Sequence, residues 1–355
     1  MRRATLSLCA MAVAAIAAFG VTPAAMAQLK SVGADKPVKI RFAYVPVVGA
    51  APLFVLASAG WAKETGLEIS PVRFESGPPA ISALASGTID AMAIGIAPIA
   101  VAKAKGLDVR VVAAVATGGS GFVANSVLAE TFDAEGGDVA KTFATFHKAH
   151  GRPAKLATLP AGGVPTVALN HWLFKLNKVD REDVQIIPMG IDAVQLAMLT
   201  GNADGGTMLE PTLTVALRRE PKLRMIVTAS QMFDEIPGVV IAVTGDLLRQ
   251  QPNAVEKLIS LMIRANELIR QRPLDAAGYS SAVLGGGLID QATLARALVS
   301  KAVSFVSDPR AIEEPTKRML AYQVELGDFA IAPTIDGLFD TGPYLRAMGR
   351  RPAGN

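Results

Sequence analysis

Few residues in this chain have the types and spacing that perform covalent or acid–base chemistry. Of 355 residues, three are histidine and one is cysteine. His147 and His150 stand in His-Lys-Ala-His on a charged helical stretch. No third or fourth ligand for a tetrahedral metal site can be placed beside them, so they read as solvated. His171, next to Trp172, reads as partly buried. Cys9 falls in the first residues of the chain. The remainder has no thiol for a disulfide, a thiolate nucleophile or a cysteine metal site. There is no Gly-x-Ser-x-Gly elbow, no His-Glu-x-x-His and no phosphate-binding loop. The carboxylate pair worth naming is Asp192 and Glu210, both in loops. A hydrolase can use such a pair; the simpler reading has one cap a helix and the other orient a hinge or a ligand amine. The chemistry expected is therefore recognition without catalysis, and with no metal or cofactor.

In place of reactive side chains the chain carries small loops that follow strands. A strand over 38–45 runs into Pro46-Val47-Val48-Gly49-Ala50-Ala51-Pro52, then a helix at about 52–65 that Gly66 ends. A strand over 69–74 runs into Glu75-Ser76-Gly77-Pro78-Pro79, where Ser76 is near an N-cap position and a proline opens the helix. A strand over 90–94 ends at Gly95-Ile96-Ala97-Pro98, before a helix over 99–105. A strand over 109–115 leads to Ala116-Thr117-Gly118-Gly119-Ser120-Gly121. In the second half, a strand over 155–158 enters Leu159-Pro160-Ala161-Gly162-Gly163-Val164-Pro165-Thr166, before a helix at about 166–176. Such loops let a ligand approach the backbone and expose the N–H groups that begin the next helix.

The elements that must position these loops repeat. Residues 70–95 map onto residues 184–209 at a constant offset of 114 positions. Both copies read as strand, Gly/Pro loop, helix, a helix-ending glycine (Gly87, Gly201), then an aspartate (Asp90, Asp204) opening a buried strand. The two aspartates are expected to accept loop N–H groups. Two such units more than a hundred residues apart predict two open α/β lobes with a cleft at the carboxyl ends of their strands. Short strands at 122–125 and 239–243 are the expected crossovers between lobes. Helices are expected at about 139–150, 252–271, 275–284, 290–306 and 311–326, with Gly285-Gly286-Gly287 a turn between two of them.

Half of the residues are hydrophobic and only 5% aromatic, which suits buried parallel strands under helices. Arg2-Arg3, an apolar run over about 6–19 and Ala25-Met26-Ala27 read as a secretory signal peptide over 1–27, cleaved after Ala27. The run is shorter than the roughly 20 residues of a membrane-spanning helix. Cys9 precedes most of it, the wrong order for a lipoprotein. Subtracting the two arginines from a formal charge of +4 leaves +2, too mild to argue for nucleic acid or a membrane surface. A periplasmic location is expected.

The chain also resembles the periplasmic binding proteins of ABC importers in the nitrate/sulfonate/taurine group, which includes binders of pyrimidine precursors. The resemblance spans nearly all of the mature chain. It is carried by Tyr44-Val45-Pro46, Gly60-Trp61-Ala62-Lys63-Glu64-Thr65-Gly66-Leu67, Ala85-Ser86-Gly87-Thr88-Ile89-Asp90, Gly201-Asn202-Ala203-Asp204, Glu210-Pro211 and Leu338-Phe339-Asp340. It implies the two-lobed type II periplasmic-binding-protein fold, with lobe one at 38–120 plus 238–355 and lobe two at 122–236. It further implies a monomer that closes on a small molecule and hands it to an ABC permease in the inner membrane. The ligand contacts it implies are Val47, Val48, Gly49, Ser76, Gly77, Gly95, Ile96, Ala97, Thr117, Gly118 and Gly119. From the second lobe it implies Gly162, Gly163, Val164, Pro165, Thr166, Gly190, Asp192 and Glu210. None is Arg or Lys, so an oxyanion would rely on helix N-termini and neutral donors. A sulfonate-like anion is expected first, a heterocyclic or amine-bearing compound second. An enzyme of the pyrimidine-synthesis type and a receptor-docking sensor are the rival functions.

Overall fold

The computed structural model describes residues 36–284 and 289–349. The proposed signal peptide with Arg2, Arg3, Cys9 and its cleavage site lies outside the described residues, as does the Gly285-Gly286-Gly287 turn. The fold belongs to one compact unit, Pro37–Asn355. Among the described residues no helix is long and apolar enough to cross a membrane.

Twelve strands are described: β1 Val38–Tyr44, β2 Leu67–Arg73, β3 Ala91–Gly95, β4 Val109–Ala114, β5 Ala116–Gly118, β6 Ser120–Ala124, β7 Ala154–Thr158, β8 Val184–Pro188, β9 Gly205–Leu209, β10 Arg224–Thr228, β11 Val239–Thr244 and β12 Val303–Phe305. They form a sheet of order β2-β1-β3-β11-β4, a second of order β10-β6-β9-β7-β8 and a short β12-β5 pair. In β1, Ile40 and Phe42 are fully buried while Arg41 between them is exposed, the period-two pattern of a strand with one covered face. β1 pairs parallel with β2 and β3, and β7 pairs parallel with β8 and β9. One inner strand of each sheet arrives from the other half of the chain. β6 comes after β4 and β5 in the chain yet pairs antiparallel with β9, and β11 follows β10 yet pairs antiparallel with β3. These are two open α/β lobes joined by two crossovers.

The repeat holds at the expected offset. Helix Gly77–Ala85 corresponds to Ile191–Leu199, and β3 to β9, each displaced by 114 residues. Gly87 and Gly201 both end their helices at φ 71°, a conformation that costs glycine little. Asp90 and Asp204 then tie the unit to the neighbouring strand. Asp90 accepts from the Arg41 backbone N–H at 2.9 Å and from the same residue's guanidinium. Asp204 accepts from the Lys155 N–H at 2.8 Å and, bidentately, from Arg152 at 2.6 and 2.9 Å. Residues 41 and 155 are again 114 apart. The backbone donor is therefore the same in both lobes, a strand N–H and not the expected loop N–H, while the guanidinium comes from different places.

Three elements depart from the sequence reading. The helix expected over 52–65 breaks into Ala51–Ser58 and Trp61–Glu64, because Gly60 sits at φ 80°. The helix expected from residue 99 begins at Ile96, so Pro98 stands inside its first turn, where no backbone donor is lost. The helix expected over 290–306 is Gln291–Leu298 followed by β12, whose partner β5 lies far away in sequence; local periodicity carries no sign of such a pairing. Elsewhere Val139–His150 and Pro252–Gln271 fall where expected. Trp172 is buried against Phe122, Phe132 and Phe143, and His171 beside it holds the Met232 carbonyl at 2.8 Å.

Candidate functional site

The ends of β1 and β3 in one lobe and of β7 and β9 in the other converge with both crossovers on a cavity of about 60 Å³. Val45, Val47, Gly77, Ile94, Gly95 and Pro98 line it from the first lobe. Leu159, Gly163, Val164, Pro165 and Leu209 line it from the second, and Gly118, Ser120, Gly238 and Val239 from the crossovers. The glycines are there because backbone must approach closely. A Cβ on Gly77 would lie 2.5 Å from the Pro98 ring, and one on Gly238 would lie 2.4 Å from the Ala116 carbonyl oxygen. No side chain in this lining is charged.

Seven of the residues expected at the site share this cavity: Val47, Gly77, Gly95, Gly118, Gly163, Val164 and Pro165. The others surround it in different roles. Val48 and Gly49 form a one-turn helix, and the Val48 N–H reaches across to the Glu210 carbonyl at 2.8 Å. Ile96 and Ala97 are fully buried in the first turn of their helix, where the Ile96 N–H donates to the Gly238 carbonyl. Ser76 is a buried N-cap whose hydroxyl makes no capping bond. Thr117 pairs with Ser304 in the short sheet, and the Gly119 N–H donates to the Ala302 carbonyl at 2.6 Å. Gly162 opens on an outer groove with Pro78, Lys105 and Asp328. The Thr166 hydroxyl donates to the Leu159 carbonyl at 2.5 Å, beside the Thr158–Thr207 hydroxyl pair.

Gly190 and Asp192 make a clasp between the lobes. Gly190 packs against Glu75, and the Ile191 N–H donates to the Glu75 carbonyl at 3.3 Å. Arg73 donates to Asp192 at 2.8 Å and also pairs with Glu75. The clasp borders a larger chamber of about 620 Å³, lined in part by Tyr44, Pro46, Gln195 and Arg219. Tyr44 and Pro46 alternate with Val45 and Val47 along one extended segment, so chamber and cavity lie on opposite sides of it.

Glu210 is 1% exposed. Burial pushes its carboxyl above the usual range, while Ser300 and the Thr214 hydroxyl and N–H partly offset that by hydrogen bonding to the charged form. Asp192 and Glu210 thus engage different partners and do not form a catalytic dyad. Among the described residues no group of three or more His, Cys, Asp or Glu side chains is arranged to hold a metal ion.

Sequence reasoning missed Val45, Ile94, Pro98, Ser120, Leu159, Leu209, Gly238 and Val239. Val45, Ile94, Leu209 and Val239 read as ordinary strand ends, and Leu159 as the first residue of a loop. Ser120 read as the tail of a loop, whereas it is the first residue of β6.

A sequence model described as the NMT1-like family matches residues 33–283. No curated protein matches the sequence. Solved structures share the fold. The periplasmic nitrate-binding protein NrtA from Synechocystis PCC 6803 aligns with TM-score 0.75 at 14% identity, over 89% of each chain. The ligand-binding component of an ABC-type import system from Staphylococcus aureus, with zinc bound, aligns with TM-score 0.71 at 14% identity, over 87% of this chain and 98% of that one. The periplasmic aliphatic sulphonate binding protein SsuA from Escherichia coli aligns with TM-score 0.64 at 17% identity, over 85% and 97%.

Proposed function

The chain belongs to the NMT1-like family, and on that premise we propose that it is the solute-binding subunit of an ABC importer. It captures a small organic molecule in the interlobe cavity and delivers it to an inner-membrane permease. The observation that carries this reading is the cavity itself: backbone-lined and uncharged, at the strand ends where both lobes and both crossovers meet. The names of the neighbours NrtA and SsuA, and the import system of the third, support import over other uses of the fold. The signal peptide expected over 1–27 supports a periplasmic location, and the mild charge gives no support to a nucleic-acid or membrane partner.

The mechanism is hinge closure. Lobe one (38–120 plus 238–355) and lobe two (122–236) rotate about the crossovers, and a ligand touching both stabilises the closed arrangement by its differential affinity. Chemistry on the ligand is not proposed, since the lining offers no acid, base or nucleophile beyond one serine hydroxyl. A sulfonate-like anion is the first candidate from the neighbours' names. A heterocyclic or amine-bearing compound is the second, and the lack of cations in the lining is compatible with it.

Thermal unfolding of the mature protein against sulfonates, nitrate, carboxylates, pyrimidines, polyamines and aromatic acids tests the reading. A ligand at about a hundred times its dissociation constant adds roughly 2.7 kcal/mol, a clear rise in Tm. Turnover of any binder in place of simple binding would move the chain to the enzyme class. Growth of a deletion strain on the ligand as well as the parent strain would favour a sensor over an importer.

A further inference from the structure

We infer that the interlobe cavity takes a small uncharged organic compound and that the Ser120 hydroxyl is its specificity-determining contact. This deepens the proposed binding function and rests on it. Size comes first. The cavity of about 60 Å³ is only a few times the roughly 10–15 Å³ that a single water needs, so it suits a compact ligand.

Charge comes second. No lining side chain is basic, so an anion would depend on backbone donors at the helix N-termini. Three helices start at the cavity, and prolines remove donors from each first turn. Gly77–Ala85 has Pro78 and Pro79, Ile96–Ala104 has Pro98, and Val164–Asn170 has Pro165. Of the N–H groups that remain, Ile96 donates to the Gly238 carbonyl and Thr166 and Val167 to the Gly163 carbonyl, which leaves those of Gly77, Ala97 and Val164. An ion among Val45, Val47, Leu159, Val164 and Leu209 would exchange its full hydration for those few N–H groups and one hydroxyl, with no counter-charge.

Polarity comes third. Ser120 is the one polar side chain in the lining, and it is 2% exposed. No described residue hydrogen-bonds its hydroxyl. The hydroxyl opens on the cavity and takes its hydrogen-bond partner from whatever fills it. A ligand with a single hydrogen-bonding group, such as a short amide or sulfonamide, supplies it.

The test compares isosteric pairs differing in charge, acetamide with acetate and methanesulfonamide with methanesulfonate, by calorimetry on the whole mature protein and on Ser120→Ala. The expected result is binding of the uncharged member of a pair, weakened about tenfold by Ser120→Ala. The ligand-free Tm of Ser120→Ala should be unchanged or higher. A structural serine would instead lower that Tm and leave affinity alone, which overturns the assignment. Preferential binding of acetate or methanesulfonate overturns the charge inference and leaves the importer reading standing. Binding of a pyrimidine or aromatic acid with undiminished affinity in Ser120→Ala overturns both the size limit and the contact. If no member of either pair binds while Gly163→Asp abolishes binding of a larger compound, the size limit falls and the site stands. If Gly163→Asp leaves that binding intact, the site reading falls with it.

Discussion

Two buried carboxylates show how opposite environments set opposite pH behaviour. Burial raises the pKa of Asp204, but the Arg152 bonds and the Lys155 N–H outweigh it and hold the carboxyl below its usual range. Its stabilisation is therefore present above the unfolded-state pKa and is lost as pH falls through the folded value. Asp204→Asn should lower stability by about 2 kcal/mol near neutrality, with the difference from the parent shrinking in acid denaturation series. Glu210 is the reverse case, raised by burial. Its neutral form is favoured in the folded protein, so the folded state gains as pH falls through that raised value toward the unfolded-state one. Relative to Glu210→Gln, the parent should gain stability as pH is lowered from neutrality; urea melts at several pH values will show whether the two curves converge in this direction.

Among the elements, the crossovers tolerate the least change. Gly238 passes the Ala116 carbonyl so closely that a methyl group would sit 2.4 Å from its oxygen, and Gly49 meets Val239 in the same way. Backbone cannot give way as a flexible side-chain end can. Gly238→Ala should thus destabilise by about 2 kcal/mol or more, the usual scale of overpacking, while Gly49→Ala, facing a side chain, should cost less. Chemical denaturation of both variants ranks them. The helix pair related by the repeat makes a different point. Gly77 opens its helix onto the cavity, yet the equivalent start at Ile191 is turned onto Glu75 and Arg73. One motif became a cavity wall in one lobe and a clasp in the other.

At the level of the whole molecule, the proposed hinge closure would be biased by that clasp. Arg73 and Asp192 are exposed, 41% and 63% by side chain, so each bond contributes at most about 1 kcal/mol and is screened by salt. Apparent affinity scales with the fraction of molecules able to close. Arg73→Ala should weaken ligand binding by up to about fivefold at low salt and flatten its salt dependence, without lining the cavity itself. Equal salt dependence in parent and variant would remove the clasp from the closure mechanism.

Local signals in the chain determined the strand–loop–helix unit, its recurrence at 114 residues, the glycines at φ 71° and the long helix over Pro252–Gln271. Each of these depends on residues within a few positions, through helical or strand periodicity and the backbone freedom of glycine. About a third of the expected contacts reached the cavity, because strand-end loops are recognisable one by one. Which loops share a wall is settled by how two sheets face each other. Tertiary structure alone decided that Ser120 turns inward from a crossover, that Gly190 and Asp192 close the clasp, and that Val303–Phe305 is a strand. Those outcomes rest on pairings between distant segments, whose registers come from packing and leave no periodic trace in either segment.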